Sequence, residues 1–431
     1  MPDCLYDFQR SLVEWATRKG RAAVFADCGL GKTFVQLTWA ENVARKTGGR
    51  VLILTPLAVS FQTVTEGAKI GVDVQHRRDQ IHKGDRIVVT NYERLCHFNA
   101  DDFDGVVCDE SSILKNFDGS TRQAITDFMR KRPYRLLCTA TAAPNDYIEL
   151  GTSSEALGEM GFVDMLSHFF KKVENTTTRR DEHQGCNYRF RGHAERDFWR
   201  WVCSWARAMR KPSDLGFDDG PFNLPKLTVN SSIVKANTLA PGMLFEMPAQ
   251  DLREQRDELK RTVHERCEKV AAIINAHDRP AVAWCHLNQE GHMLEKMIKG
   301  AVEIEGADSE EKKEDIFSRF AKGAIRVVVT KPKIAGFGLN WQHCSDVAYF
   351  PSHSYEQYYQ AVRRSWRFGQ KRTVHVSLIS TEGQAEVLGN LQRKADAAGQ
   401  MFDQLVAMMR NELRIERANP YTKKSEVPTW L

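Results

Sequence analysis

The sequence predicts an α/β protein of two tandem parallel-sheet lobes, with a helical insertion between them and a brace helix after the second. Short apolar runs rich in β-branched residues recur along the chain, separated by helical or loop patterns. They fall into two groups of similar size. Between the groups lies a stretch of different character, aromatic and basic. Runs apolar on both faces suit parallel strands covered by helices.

The first group, within residues 1–146, comprises "RAAVFADCG", "RVLILTP", "RIVVTNYERL", "DGVVCDES" and "YRLLCTATA". Residues 147–225 follow as a helical insertion ("FWRWVCSWARAMRKP") and a Gly/Pro-rich interlobe linker ("DLGFDDGPFNLPKL"). In the insertion, Phe198, Trp199, Val202 and Trp205 recur at helical spacing, which predicts a packing face. Arg179, Arg180, Arg189, Arg191 and Lys211, interleaved with Tyr188 and Phe190, suit either a solvated surface or nucleic-acid contact. The second group, within 226–380, contains "PAVAWCHL", "VEIEG", "IRVVVTKP", "SDVAYFPS" and "TVHVSLIS". From 381 to 431 a long helical pattern carrying Leu388, Leu391, Phe402, Leu405 and Met409 predicts a brace, followed by a polar tail.

Composition narrows the function classes. The chain has 431 residues, 42% hydrophobic and 27% charged, with no apolar run long enough to span a membrane. The start "MPDCLYDFQR" lacks an apolar signal core, so a non-secreted, cytoplasmic protein is expected. Ten scattered cysteines without a CxxC pair fit free thiols in a reducing compartment. His183, Cys186 and His193 are too few ligands for a zinc site. A net charge of +5 permits a polyanionic partner without requiring one.

The chemistry starts at "ADCGLGKT", residues 26–33, set between a strand and a helix. Backbone N–H groups around Gly29 and Gly31 can surround phosphate oxygens, Lys32 can reach the outer phosphates, and Thr33 can ligate Mg2+. Ala26 stands where the usual pattern has its first glycine. Asp109 and Glu110 end another strand of the same lobe. Asp109 suits holding the metal through water, and Glu110 suits orienting and deprotonating an attacking water. A water-activating glutamate favours hydrolysis of the nucleoside triphosphate over group transfer. In "QYYQAVRRSWRFGQ", Arg363, Arg364 and Arg367 fall at spacings that put two or three guanidinium groups on one side of a helix, where they can stabilise a transferring phosphoryl group; a basic surface helix is the plainer alternative.

With these motifs in order, the chain resembles superfamily 2 helicases and translocases, particularly the Swi/Snf-like branch, over nearly all its length. "LYDFQRSLVEW" resembles the adenine-reading segment, with Gln9 as reader; "CGLGKT", "DESS" and "TATAAPN" resemble motifs I, II and III. "KIAGFGLNW" is similar to motif V and "QAVRRSWRFGQ" to motif VI, while "MRKPSDLGF…LPKL" resembles the segment entering the second lobe. The resemblance implies two RecA-like lobes, ATP with Mg2+ between them, Arg364 and Arg367 as arginine fingers, and Gly338 and Asn340 as couplers of the lobes. It also turns strand-end loops into a nucleic-acid track: Thr55, Pro56, Thr90, Asn91, Thr330 and Lys331.

There are departures. Ser111-Ser112 closes motif II where relatives often carry a histidine, and Arg363 and Trp366 stand where acidic and histidine residues are common. Extra reader modules of chromatin remodellers are missing from the matching region, which resembles small stand-alone chains of bacteria and bacteriophages. The expected activity is a DNA-stimulated ATPase that moves on or remodels single-stranded, duplex or forked DNA. It would work as a monomer in replication, recombination or repair. An RNA helicase and an ATP-gated DNA-binding scaffold remain alternatives.

Overall fold

A computed structural model describes residues 2–56, 59–115, 119–143, 147–172, 188–236, 252–335 and 340–418, with backbone alone for 252–253 and 411–418. Seven strands form the first sheet: β1 (Arg21–Ala26), β2 (Val51–Thr55), β3 (Gln75–His76), β4 (Ile87–Asn91), β5 (Gly105–Asp109), β6 (Tyr134–Thr139) and β9 (Ala206–Met209). Their order is β3-β4-β2-β5-β6-β1-β9, with every pairing parallel. Between β6 and β9, β7 (Phe170–Lys172) and β8 (Tyr188–Phe190) form a separate antiparallel ribbon.

The second sheet has six parallel strands: β10 (Leu227–Val234), β11 (Ala281–Trp284), β12 (Ala301–Ile304), β13 (Val327–Thr330), β14 (Asp346–Tyr349) and β15 (Val374–Thr381). They run in the order β10-β15-β14-β11-β13-β12. Central strands are buried along their whole length, as the unbroken apolar runs of "VLILT" and "VVVT" require. The expected α/β fold of two parallel-sheet lobes is thus observed.

The stretch 147–225 departs from the expectation of an insertion standing between the lobes. Its strand β9 pairs with β1, Ala23 opposite Ala206 and Ala26 opposite Met209, and forms the edge of the first sheet. Helix Ala194–Trp205 buries Phe198, Trp199, Val202 and Trp205 in the first lobe's core, the packing face its spacing implied. Trp205 meets Phe25 of β1 edge to face with centroids 6.2 Å apart. The first lobe therefore extends through this stretch. "ARAM" escaped notice as a strand because it is short and continues a helical pattern.

Helix Ala385–Ala418 straps the lobes together. Phe402, Leu405 and Met409 enter the first lobe's core, while Leu388 packs against the second lobe's. Arg210 Nη1 reaches Asp403 Oδ1 at 2.6 Å, and Lys394 Nζ donates to His353 O at 2.9 Å. Burying each large apolar side chain stabilises by about 1.5–3 kcal/mol, which makes the apolar stripe the main grip and the polar contacts its register.

Candidate active site

Strand β1 stops at Ala26 because the next residues must turn outward to cap helix Lys32–Thr47. Gly29 and Gly31 have φ of 89° and 75°, a region costly for side chains. Space is equally restrictive. A Cβ on Gly31 would overlap Gln9 Nε2, and one on Gly29 would lie 2.9 Å from the backbone nitrogen of Phe368 in the second lobe. Asp27 N donates to Met209 O at 3.0 Å, so β9 fixes the root of the loop.

Lys32 Nζ is folded back on Ala26 O (2.8 Å) and Asp27 O (3.3 Å). Gln9 is buried and held at both ends of its amide, accepting from Tyr6 N and donating to Leu30 O, each at 3.0 Å. Its amide thus lies against the phosphate loop. Thr33 is half-buried in the first turn of the helix.

The acidic pair is carried by β5, next to β6 and one strand removed from β1. Gln36 Nε2 donates to Asp109 Oδ1 at 2.6 Å. Burial, and then the neighbouring Glu110 carboxylate, push Asp109 up to about 6. A carboxylate made reluctant to stay ionised is one that a cation would settle. Among the described residues, Glu110 is the single non-glycine with positive φ, at 56°. Holding it there costs roughly 1–2 kcal/mol, offset in part by Thr139 Oγ1 donating to Glu110 Oε1 at 2.6 Å. Thr141 N in turn donates to Thr139 Oγ1 at 3.0 Å, so the segment after β6 aims the glutamate.

From the other side, helix Tyr355–Val362 ends before the arginines, so a turn, not the helical side their spacing suggested, carries them. Arg364 is buried and its Nε donates to Gln360 O at 3.2 Å. Burial lowers its pKa, while Cys28, Glu110 and Asp109 pull it upward, which marks these groups as its electrostatic neighbours across the cleft. Burial and Arg364 hold Arg367 down at about 10. The Cβ of Arg367 lies 3.4 Å from where a Gly29 Cβ would stand.

Arg363, one of the departures noted above, points at Asp27 and forms an ion pair with its carboxylate. Tyr359 also donates to Asp27 Oδ1, and Arg363 lies over the Trp366 ring at 4.3 Å. Nearby, Lys115 pairs with Glu356 across the same junction. Sequence reading missed Asp27, Tyr359, Thr139 and Gln36. Asp27, Thr139 and Tyr359 lie within the stretches quoted above, whereas nothing in the sequence distinguishes Gln36.

The structure therefore brings together Gln9, Gly29, Gly31, Lys32, Thr33, Asp109, Glu110, Arg364 and Arg367. The donor set fits Mg-ATP: a glycine cradle closed to side chains, a helix N-terminus, a lysine held only by carbonyls, a cation-seeking carboxylate and facing guanidiniums. Gly338 lies outside the described residues, as do Arg179, Arg180, His183 and Cys186. Asn340 is exposed.

The nucleic-acid candidates divide. Thr55, Thr90, Asn91 and Thr330 are buried; Thr55 Oγ1 meets Ser60 Oγ at 2.9 Å, and Thr330 Oγ1 donates to Ile304 O at 3.2 Å. The Thr55 and Thr330 hydroxyls are thus engaged within the fold, whereas Thr90 Oγ1 and Asn91 Oδ1 are buried with no hydrogen-bond partner. Pro56 and Lys331 remain accessible. Pro56, Phe61 and Glu110 face Lys313, Lys333 and Gln360 across an interlobe cleft of about 620 Å³.

A phosphate loop and acidic pair on one lobe, met by arginines from a second lobe of the same kind, is the arrangement of ATP-hydrolysing helicase enzymes. The comparisons agree: residues 259–369 match the Helicase conserved C-terminal domain. The chain is 22% identical to the Bacillus subtilis (strain 168) "Putative ATP-dependent helicase/translocase YwqA", in an alignment covering 85% of this chain and 44% of that protein. It thus spans less than half the length of that relative. The second lobe thus carries the match to a helicase C-terminal domain, in keeping with the resemblance of the ordered motifs to superfamily 2 helicases. A Sulfolobus solfataricus SWI2/SNF2 ATPase core in complex with dsDNA aligns over 96% of this chain and 97% of its own, at 17% identity and a TM-score of 0.44.

Proposed function

We propose that the protein couples Mg-ATP hydrolysis between its lobes to movement on, or remodelling of, DNA. The carrying observation is the seating of the arginine turn on the phosphate loop, with Phe368 and Arg367 against Gly29. Nucleotide chemistry in the first lobe must then be felt in the second. That the similar Bacillus protein is named a helicase/translocase supports the reading.

Each residue has a role. Lys32 leaves the carbonyls of Ala26 and Asp27 for the outer phosphates. Thr33 and, through water, Asp109 would hold Mg2+, which would supply positive charge to offset that of the phosphates. Glu110, fixed by Thr139, orients the attacking water and accepts its proton. Arg364 and Arg367 stabilise charge on the transferring phosphoryl group. Gln9 reads the adenine. Gly338 and Asn340 couple the lobes, and Pro56 and Lys331 grip the nucleic-acid backbone along the cleft. We place the protein in the cytoplasm of a bacterium or phage-infected cell.

The test is steady-state ATP hydrolysis without nucleic acid and with single-stranded, duplex or forked DNA, or RNA. Strong stimulation by DNA supports the proposal; stimulation that RNA alone provides replaces it with an RNA helicase. Triplex displacement then separates a translocase from an ATP-gated scaffold, which would clamp DNA without displacing the third strand.

A further inference from the structure

Away from the nucleotide junction, three ligand-type side chains meet at the edge of the second sheet. His292 comes from helix Asn288–Met297, Glu303 from β12, and Glu305 from the residue after that strand. One ligand atom from each lies within 4.8 Å of the others. His292 Nε2 is 3.1 Å from Glu305 Oε1 and 3.7 Å from Glu303 Oε2. Two ligands bound tetrahedrally at about 2.1 Å from one cation lie about 3.4 Å apart. The observed separations bracket that value.

Surface acids alone would mean little, but Glu303 is not a surface acid. It is 6% exposed, and its Oε2, the oxygen facing His292, is buried with no hydrogen-bond partner. Burying a carboxylate oxygen without a partner is costly. The fold also makes room for this carboxylate. A Cβ on Gly291, inside the helix, would overlap Glu303 Oε1, and a mid-helix glycine forgoes about 1 kcal/mol relative to alanine. Glu295 Oε1 accepts from Glu303 N at 2.9 Å, which fixes the strand while leaving the Glu303 side chain to other use.

We propose that His292, Glu303 and Glu305 form a divalent-cation site that takes Zn2+ or a similar transition ion, with water completing the tetrahedron. One imidazole and two carboxylates are an N/O donor set suited to such ions, and three protein ligands leave a fourth position open. The ion would tie the edge strand to its neighbouring helix. Gly306, adjacent to Glu305, lines the interlobe cleft, so the tie would stiffen that wall. The proposal does not depend on the ATPase reading.

The experiment titrates Co2+ into chelator-treated full-length protein without nucleotide, following visible absorption, and then displaces the Co2+ with Zn2+. Exposed Cys4 and Cys96 are replaced by serine beforehand so that surface thiols do not contribute. One equivalent with tetrahedral bands is expected, weakened at least ~10-fold in both His292→Ala and Glu303→Gln. His292 is half-exposed, so its variant should retain the wild-type fold, checked by far-ultraviolet circular dichroism. Absent bands, or bands unchanged in His292→Ala, would overturn the proposal. Zn2+ should also raise Tm in the parent and not in His292→Ala; equal rises in both would count against it.

Discussion

Replacing Arg363 by methionine should loosen the junction between the lobes. The side chains of Arg363 and Asp27 are 6% and 4% exposed, so water cannot take the place of a lost partner. Breaking a buried ion pair from one side typically costs about 3–5 kcal/mol. The lower end applies here, because Asp27 keeps Tyr359 and Cys28 N, the latter at 2.6 Å. Asp27→Ala should cost a similar amount, since Arg363 retains Trp366 O at 3.1 Å and its ring contacts. The double variant, with neither charge left, should recover about 2 kcal/mol of the summed loss. The assay is urea unfolding followed by tryptophan fluorescence, as both lobes bury tryptophans, Trp205 in one and Trp341 in the other. With a slope of about 2–3 kcal/mol/M, each single variant should lower the midpoint of the first transition by about 1 M or more. Single shifts below about 0.3 M that simply add in the double variant would mean that the pair does not join the lobes.

Further outcomes concern the nucleotide site and the second lobe. Lys32→Ala or Glu110→Gln should abolish ATP turnover, and full turnover in either would refute the site. Thr139→Val should slow hydrolysis ~10–100-fold by freeing Glu110, with nucleotide binding, read by fluorescent-analogue titration, unchanged; Arg367→Ala should likewise bind nucleotide and lose most hydrolysis. Gly31→Ala should lose nucleotide binding, because the added Cβ meets Gln9 and φ is 75°; unchanged affinity would show that the loop has slack. In the second lobe, burial raises the Asp346 pKa, but hydrogen bonds from Arg279 (2.8 and 2.7 Å) and Ser345 (2.9 Å) outweigh it and hold it low. Its stabilisation is therefore present above about pH 3.9 and lost as pH falls through the lower folded value. Arg279→Ala should cost about 2 kcal/mol near neutrality and move the acid-unfolding midpoint upward.

Ten of the thirteen strands in the two sheets were legible because a buried parallel strand must be apolar on both faces. The three that were not, β3, β9 and β10, are all edges. β3 has two residues; "ARAM" continues a helical pattern; and "LTVNSSIV" has a mostly exposed or half-buried polar centre. The phosphate loop and acidic pair were readable since their chemistry needs fixed residue types at fixed spacing. The nucleic-acid residues were less so, because a strand end looks alike whether its threonine faces a ligand or the sheet. The Arg363–Asp27 pair joins positions 336 apart, and no local pattern encodes such a meeting.

The strap across the first lobe has a consequence for synthesis. Met409 Sδ accepts from Ala208 N at 3.3 Å, across 201 residues of sequence. On a ribosome adding about 5–20 residues per second, the helix arrives roughly 10–40 s after the strand it covers. Throughout that interval β9 presents an uncapped edge to neighbouring nascent chains, and a bare edge is a template for wrong pairing. β9 also anchors the root of the phosphate loop, so the nascent chain's capacity to hold nucleotide should ripen late, after the second lobe has already emerged.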